Sequence, residues 1–135
     1  MSPSPQPSRG KPPTLPAISD AEWMVMREFW ARGSATVTEV AAALAGPHRW
    51  KPATVQTLVT RLKKKGALGF TKHGREHVYH PLVDERDCLH DAGRSFIERI
   101  TGGRLAPLLA CLAEREDLSS HDIAEMKRIL ESKGQ

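Results

Sequence analysis

The chain has 135 residues, 39% of them hydrophobic, and a net charge of +4 at pH 7. This length suits one compact domain or a small domain with an appended module, with a core lean enough that long helices would complete their burial by pairing. The absence of a run of about 18 apolar residues predicts no transmembrane helix. No apolar signal core opens the chain, and two cysteines, Cys88 and Cys111, are too few for a disulfide framework, so a reducing cytoplasm is the expected compartment.

Residues 1–16 hold six of the ten prolines and almost no large apolar side chain, the composition of a disordered tail, with Arg9 and Lys11 as its only charges. Order is expected from "ISDAEWMVMREFWARG". Ser19 and Glu22 have capping-box spacing, Ile18 is placed to staple against Trp23, and Trp23, Met26 and Trp30 repeat as one buried face until Gly33 stops the helix. In "TVTEVAAALAG", Thr36 and Glu39 repeat the capping box. Val37, Val40, Ala41 and Leu44 form its apolar stripe, and Gly46 is the expected end. The third helix begins near Pro52, where a missing N–H costs nothing, buries Val55, Leu58, Val59 and Leu62, and closes at Gly66.

After Gly66 the period shifts towards two, predicting a hairpin with its turn at His73-Gly74. Three helices and a two-stranded hairpin are the winged-helix order, a relative of helix-turn-helix. The fold class is therefore mainly α with a small β-hairpin wing. A winged-helix domain is expected over residues 17–83 and a helical dimerisation domain over 84–135. In the latter, Leu89, Ala92, Phe96 and Ile100 share one stripe, Leu105, Leu108, Leu109 and Leu112 a second, and Ile123, Met126 and Leu130 a third. Three helices with one apolar stripe each have little of their own chain to cover it, so a second copy is expected to supply the surface.

Charge is unevenly placed. Residues 1–47 are neutral overall and residues 81–135 carry −3, whereas residues 48–80 hold eight Lys or Arg against one acid, Glu76. Concentrated basicity points to a polyanion, most often nucleic acid. On the third helix, Thr54, Thr57, Arg61 and Lys64 form a stripe outside the apolar one. Short hydroxyls let a backbone approach DNA, and an Arg spans the O6 and N7 acceptors of guanine. Lys63, Lys64 and Lys65 end the helix where phosphates would be reached, and Lys72 and Arg75 flank the hairpin tip.

The segments "ISDAEWMVMREFW", "ATVTEVAAAL", "KPATVQTLVTRLKKKGAL" and "GREHVYHPLV" resemble the penicillinase-repressor family of winged-helix regulators (BlaI/MecI/CopY type), from about Ile18 to the C-terminus. The resemblance implies a homodimeric repressor on an inverted-repeat operator of double-stranded DNA, near genes for β-lactamases, other resistance determinants or copper export. It also implies a membrane sensor metalloprotease as partner, which relieves repression by cutting the dimerisation region. Thr54, Thr57 and Arg61 match the family's recognition-helix contacts, and Ser95-Phe96 in "GRSFIERI" matches the cleaved bond. Two positions depart from the family's pattern: Ala53 stands where it often has Lys or another polar residue, and Ser95 where its best-known members have Asn.

Other chemistries find less support. No H-E-x-x-H, G-x-S-x-G or phosphate-binding glycine loop is present, so no catalysis and no cofactor are expected. The paired C-x-C motifs of the copper-responsive branch are missing. Cys88 and His90 diverge round a helix, and Asp87, His90 and Asp91 read better as a solvated face than as a metal site, so none is expected. A metal- or thiol-responsive repressor without proteolytic control remains the alternative.

Overall fold

The computed structural model describes residues 15–115 and 118–134; the tail expected over 1–16 lies outside them except for Leu15 and Pro16. The elements run α1 (Asp20–Arg32), α2 (Val37–His48), α3 (Pro52–Lys65), β1 (Leu68–His73), β2 (Glu76–Pro81), α4 (Glu85–Thr101), α5 (Leu105–Glu114) and α6 (Ser120–Lys133). Two compact units divide between Asp91 and Ala92, part-way along α4.

Helix starts follow local chemistry. Ser19 Oγ accepts from Glu22 N at 3.2 Å while Glu22 Oε1 accepts from Ser19 N at 2.9 Å. Thr36 and Glu39 repeat the exchange at 3.1 and 2.9 Å. Each box satisfies two amides that a helix start would otherwise leave bare. Helix α3 has no side-chain cap and starts instead on Pro52, whose ring fixes φ in advance. Gly66 ends it at φ 86°, a conformation that favours glycine.

The core of the first unit comes from all three helices and the hairpin. Val25, Met26, Phe29, Val40, Leu44, Val55, Val59, Leu62 and Leu68 are at most 3% exposed. Each large apolar side chain removed from water contributes roughly 1.5–3 kcal/mol, several times the roughly 0.3–0.5 of an exposed helical pair such as Arg32–Glu28. Packing, not surface charge, fixes this unit.

Three sequence expectations shift. The buried face of α1 is Val25, Met26 and Phe29; Trp23 and Trp30 are half-buried at its margin with ring centroids 5.4 Å apart. An indole is too large to bury fully when its N–H needs a polar partner, and Trp30 Nε1 reaches Val83 O at 3.0 Å. Helix α2 continues past Gly46 to His48 with Pro47 inside it. Gly46 lacks the Cβ that a following proline ring would strike, and Arg49 makes the stop instead at φ 57°. The hairpin turn is Gly74-Arg75 rather than His73-Gly74, because His73 still pairs with Glu76. Gly74 (φ 65°) supplies the positive φ that a tight two-residue turn needs.

The strands are antiparallel, Phe70 opposite Tyr79 and Lys72 opposite His77. An unexpected bridge adds to them: Ala35 and Tyr79 exchange backbone hydrogen bonds of 3.0 and 2.8 Å, tying the α1–α2 link to β2. The structure is thus a winged helix, mainly α with a β-hairpin.

The second unit is helical and thinly covered. Helices α5 and α6 contain no buried residue. Leu108, Leu109, Leu112 and Met126 are half-buried, while Leu105 and Ile123 are exposed. Ile100 and Leu130 stand 58% and 65% exposed, and along α4 Leu89 and Phe96 are also open to solvent.

Candidate nucleic-acid interface

The apolar stripe of α3 determines which of its residues face solvent. With Val55, Leu58, Val59 and Leu62 pointing inward, Thr54, Thr57, Arg61 and Lys64 are all exposed. Thr57 Oγ donates to Ala53 O at 3.0 Å, and Thr60 Oγ donates to Gln56 O at 2.9 Å. Both hydroxyl protons are spent within the helix, so each threonine can act outward only as an acceptor, and Thr60 Oγ already accepts from Gln56 Nε2 at 3.3 Å. Arg61 and Lys64 have no acidic partner among the described residues.

The three C-terminal lysines have three different surroundings. Lys64 is free in solvent. Lys63 Nζ lies 4.6 Å from the centre of the Phe70 ring, and Phe70 stacks on His77 at 4.4 Å. That column joins the end of α3 to both wing strands. Lys65 Nζ is 2.6 Å from Glu22 Oε1 and 2.7 Å from Ala17 O. Its ammonium is committed to a carboxylate only 1% exposed, a task that the lysine run does not reveal in sequence. Burial alone would raise the Glu22 pKa, but Lys65 and the Ser19 hydrogen bonds outweigh it and hold the carboxyl below its usual range.

On the wing, Lys72 and Arg75 are exposed, Arg75 within the turn itself. Beneath it a cleft of about 430 Å³ is lined by Thr38, Gln56, Lys63, Arg75 and His77, among others, drawing α2, α3 and the wing together. A second cleft, about 590 Å³ and mostly apolar, lies between α2 and α3, with Pro52, Ala53 and Gln56 on its α3 side. Gln56 lines both clefts, and Thr38 does so from α2. Gln56, Thr60 and Lys63 form an exposed i, i+4, i+7 row beside the stripe of Thr54, Thr57, Arg61 and Lys64, a row that only the spacing of polar side chains would single out in sequence.

The remaining residues lie elsewhere. Ser95 and Phe96 are exposed on α4. Cys88 is buried, and its thiol pKa is raised by burial and by Asp87, Asp84 and Asp91, whereas Cys111 is exposed. Among the described residues no set of three or more His, Cys, Asp or Glu is gathered to hold a metal ion. No described helix is long and apolar enough to cross a membrane.

The penicillinase repressor of Bacillus licheniformis is 40% identical over 117 residues, spanning 87% of this chain and 91% of that protein. The methicillin resistance regulatory protein MecI of Mammaliicoccus sciuri is 34% identical over 116 residues, spanning 86% and 94%. In structure, the DNA binding domain of the repressor BlaI superposes with a TM-score of 0.51 at 46% identity, covering 55% of this chain and 90% of that one. The family described as Penicillinase repressor matches residues 18–132, and the chain belongs to that family.

Proposed function

We propose that this chain is a DNA-binding transcriptional repressor that grips an inverted-repeat operator as a homodimer. The observation that carries the reading is the exposed face of α3. Thr54, Thr57, Arg61 and Lys64 are exposed on a helix whose other side is locked into the core, with Lys72 and Arg75 on the adjoining wing. Relatives 40% and 34% identical over most of this chain are named a penicillinase repressor and the methicillin resistance regulatory protein MecI. In this reading α3 enters the major groove, where Arg61 reads a guanine and the threonine oxygens accept from base or water donors. Lys63, Lys64 and the wing cations neutralise phosphates.

Dimerisation is supported by the apolar stripes left open on Leu89, Phe96, Ile100, Leu105, Ile123 and Leu130, which a second copy would cover. Relief of repression by cleavage at Ser95-Phe96, through a membrane sensor metalloprotease, is supported by the exposure of both residues on α4. A helical bond must first unwind to enter a protease, so cleavage would act where α4 opens locally. The family resemblance carries that part, and because the proposed dimer would cover Phe96, local opening of α4 would have to release that side chain from the partner as well.

The test is genomic DNA pull-down with the purified protein at low and moderate salt. Recovery of a few promoter sites with inverted repeats that survive moderate salt supports the repressor. Recovery of all sequences alike, vanishing as salt rises, refutes it.

A further inference from the structure

The row Ala53, Gln56, Thr60 on α3 is given no DNA contact in the proposed reading, although all three residues are exposed. Gln56 Nε2 donates to Thr60 Oγ at 3.3 Å, which holds the amide along the helix rather than leaving it to swing. One N–H and the amide oxygen remain without a partner among the described residues. Ala53, one turn towards the helix start, is exposed and its methyl group is part of the lining of the mostly apolar cleft. Thr57 Oγ closes on the Ala53 carbonyl, so this carbonyl has a partner, and the polar backbone beside the methyl is occupied.

A carboxamide with one free donor and one free acceptor complements one base edge in the major groove: adenine, with its N7 acceptor and N6 donor. A methyl beside it, in an apolar recess, complements the 5-methyl of thymine. N-terminal residues of a recognition helix are the ones that reach base edges. From this geometry we infer that Gln56 and Ala53 read adenine and thymine in each half-site, and so set a specificity distinct from that of Arg61. The inference rests on the DNA-binding reading above and deepens it: it assigns the chemical class of base each residue selects. Gln56 also lines the basic cleft under the wing, so a strand seated between α3 and the wing passes its amide.

The experiment uses the full chain and a duplex carrying a site recovered by genomic selection, read by fluorescence anisotropy. In single positions adenine is replaced by 7-deazaadenine, which lacks the N7 acceptor, and thymine by uracil, which lacks the methyl. For the wild type, 7-deazaadenine at one pair per half-site is expected to weaken binding about tenfold, and uracil at a nearby pair about threefold. Gln56→Ala should bind the native and 7-deaza duplexes alike, and Ala53→Gly should lose only the uracil penalty. Gln56→Glu, which keeps the shape but is acceptor-only, should shift preference at that pair towards cytosine; this relative readout survives any general loss of affinity. If Gln56→Ala retains the 7-deaza penalty, or no position is sensitive in the wild type, the inference is overturned while specific binding stands. If the selected duplex is bound no better than random DNA, the DNA-binding reading itself fails, and the inference with it.

Discussion

Lys65 Nζ lies 2.6 Å from Glu22 Oε1, joining the last turn of α3 to the first turn of α1. The same carboxylate oxygen accepts from Ser19 N at 2.9 Å, and the same ammonium donates to Ala17 O at 2.7 Å. One ion pair therefore closes a capping box, anchors the entering chain and fixes the end of α3. The carboxylate is 1% exposed but the lysine side chain is 33% exposed. Desolvation of the pair is thus partial, and losing the lysine strands an acid without burying a second charge.

Lys65→Ala is accordingly expected to cost about 1–3 kcal/mol of stability, the range for an abandoned buried polar partner. It should leave the salt dependence of DNA binding unchanged. Lys64→Ala should do the reverse: unaltered stability, uniform weakening on all sequences, and a salt slope lower by about 1. Urea unfolding and anisotropy at several salt concentrations separate the two. A flattened slope in Lys65→Ala would mean that this lysine contacts phosphate after all.

The same pair sets an acid dependence. Burial pushes the Glu22 pKa up, and Lys65 with the Ser19 hydrogen bonds more than reverses that, leaving it below its ordinary value of 4.5. A depressed folded pKa gives stability that is present above pH 4.5 and is lost as pH falls from there through the folded value. The stability gap between the wild type and Glu22→Gln is therefore expected to be constant near neutrality and to narrow below pH 4.5. Denaturant midpoints measured across that range check this; a gap that widened on acidification would reverse the assigned shift.

Much of this architecture was legible because local chemistry and tertiary packing agree. Both capping boxes, the α3 stripe and the glycine after α3 stand where spacing places them. Features that depend on partners distant in sequence were not legible. The Ala35–Tyr79 bridge is one residue long and leaves no periodicity. Lys65 is indistinguishable from Lys63 and Lys64 until its approach to Glu22, 43 residues away, is seen. Trp23 and Trp30 carry the strongest apolar signal on α1, yet their bulk and N–H groups keep them at the edge while Val25 and Phe29 fill the interior.

Arg61 is the residue of α3 best able to distinguish one sequence from another, being exposed and without an acid partner among the described residues. Arg61→Ala is expected to weaken specific binding about 10- to 100-fold, from the roughly 1–3 kcal/mol of a bidentate base contact, while random DNA loses far less. Competition titrations with both DNAs measure the ratio. Equal losses on the two would reduce Arg61 to a phosphate contact.

The two thiols should differ sharply in reactivity. Cys88 is buried, with its pKa raised by that burial and by Asp87, Asp84 and Asp91, so little thiolate exists near neutral pH; Cys111 is exposed. Iodoacetamide labelling of the native protein should modify Cys111 at least about tenfold faster than Cys88, and unfolding should abolish the difference. Comparable rates in the native state would mean that α4 opens often enough to release Cys88, which would favour thiol-responsive control.

Exposed apolar surface in the second unit sets the last expectation. Ile100 and Leu130 stand 58% and 65% exposed, and neither α5 nor α6 buries a residue, so this unit gains little from its own chain. Covering one such side chain contributes roughly 1.5–3 kcal/mol, so a partner face that covers several is strongly favoured. Ile100→Asp with Leu130→Asp replaces that gain by the cost of burying two carboxylates, and is expected to weaken self-association at least about 100-fold. Sedimentation equilibrium reads the dissociation constant, and circular dichroism checks that helix content persists. On DNA, the double variant should retain half-site contacts but lose the advantage of an inverted repeat over a single half-site. An unchanged dimer would place the interface on some other surface, and the stripes of α4 and α6 would then need a different partner.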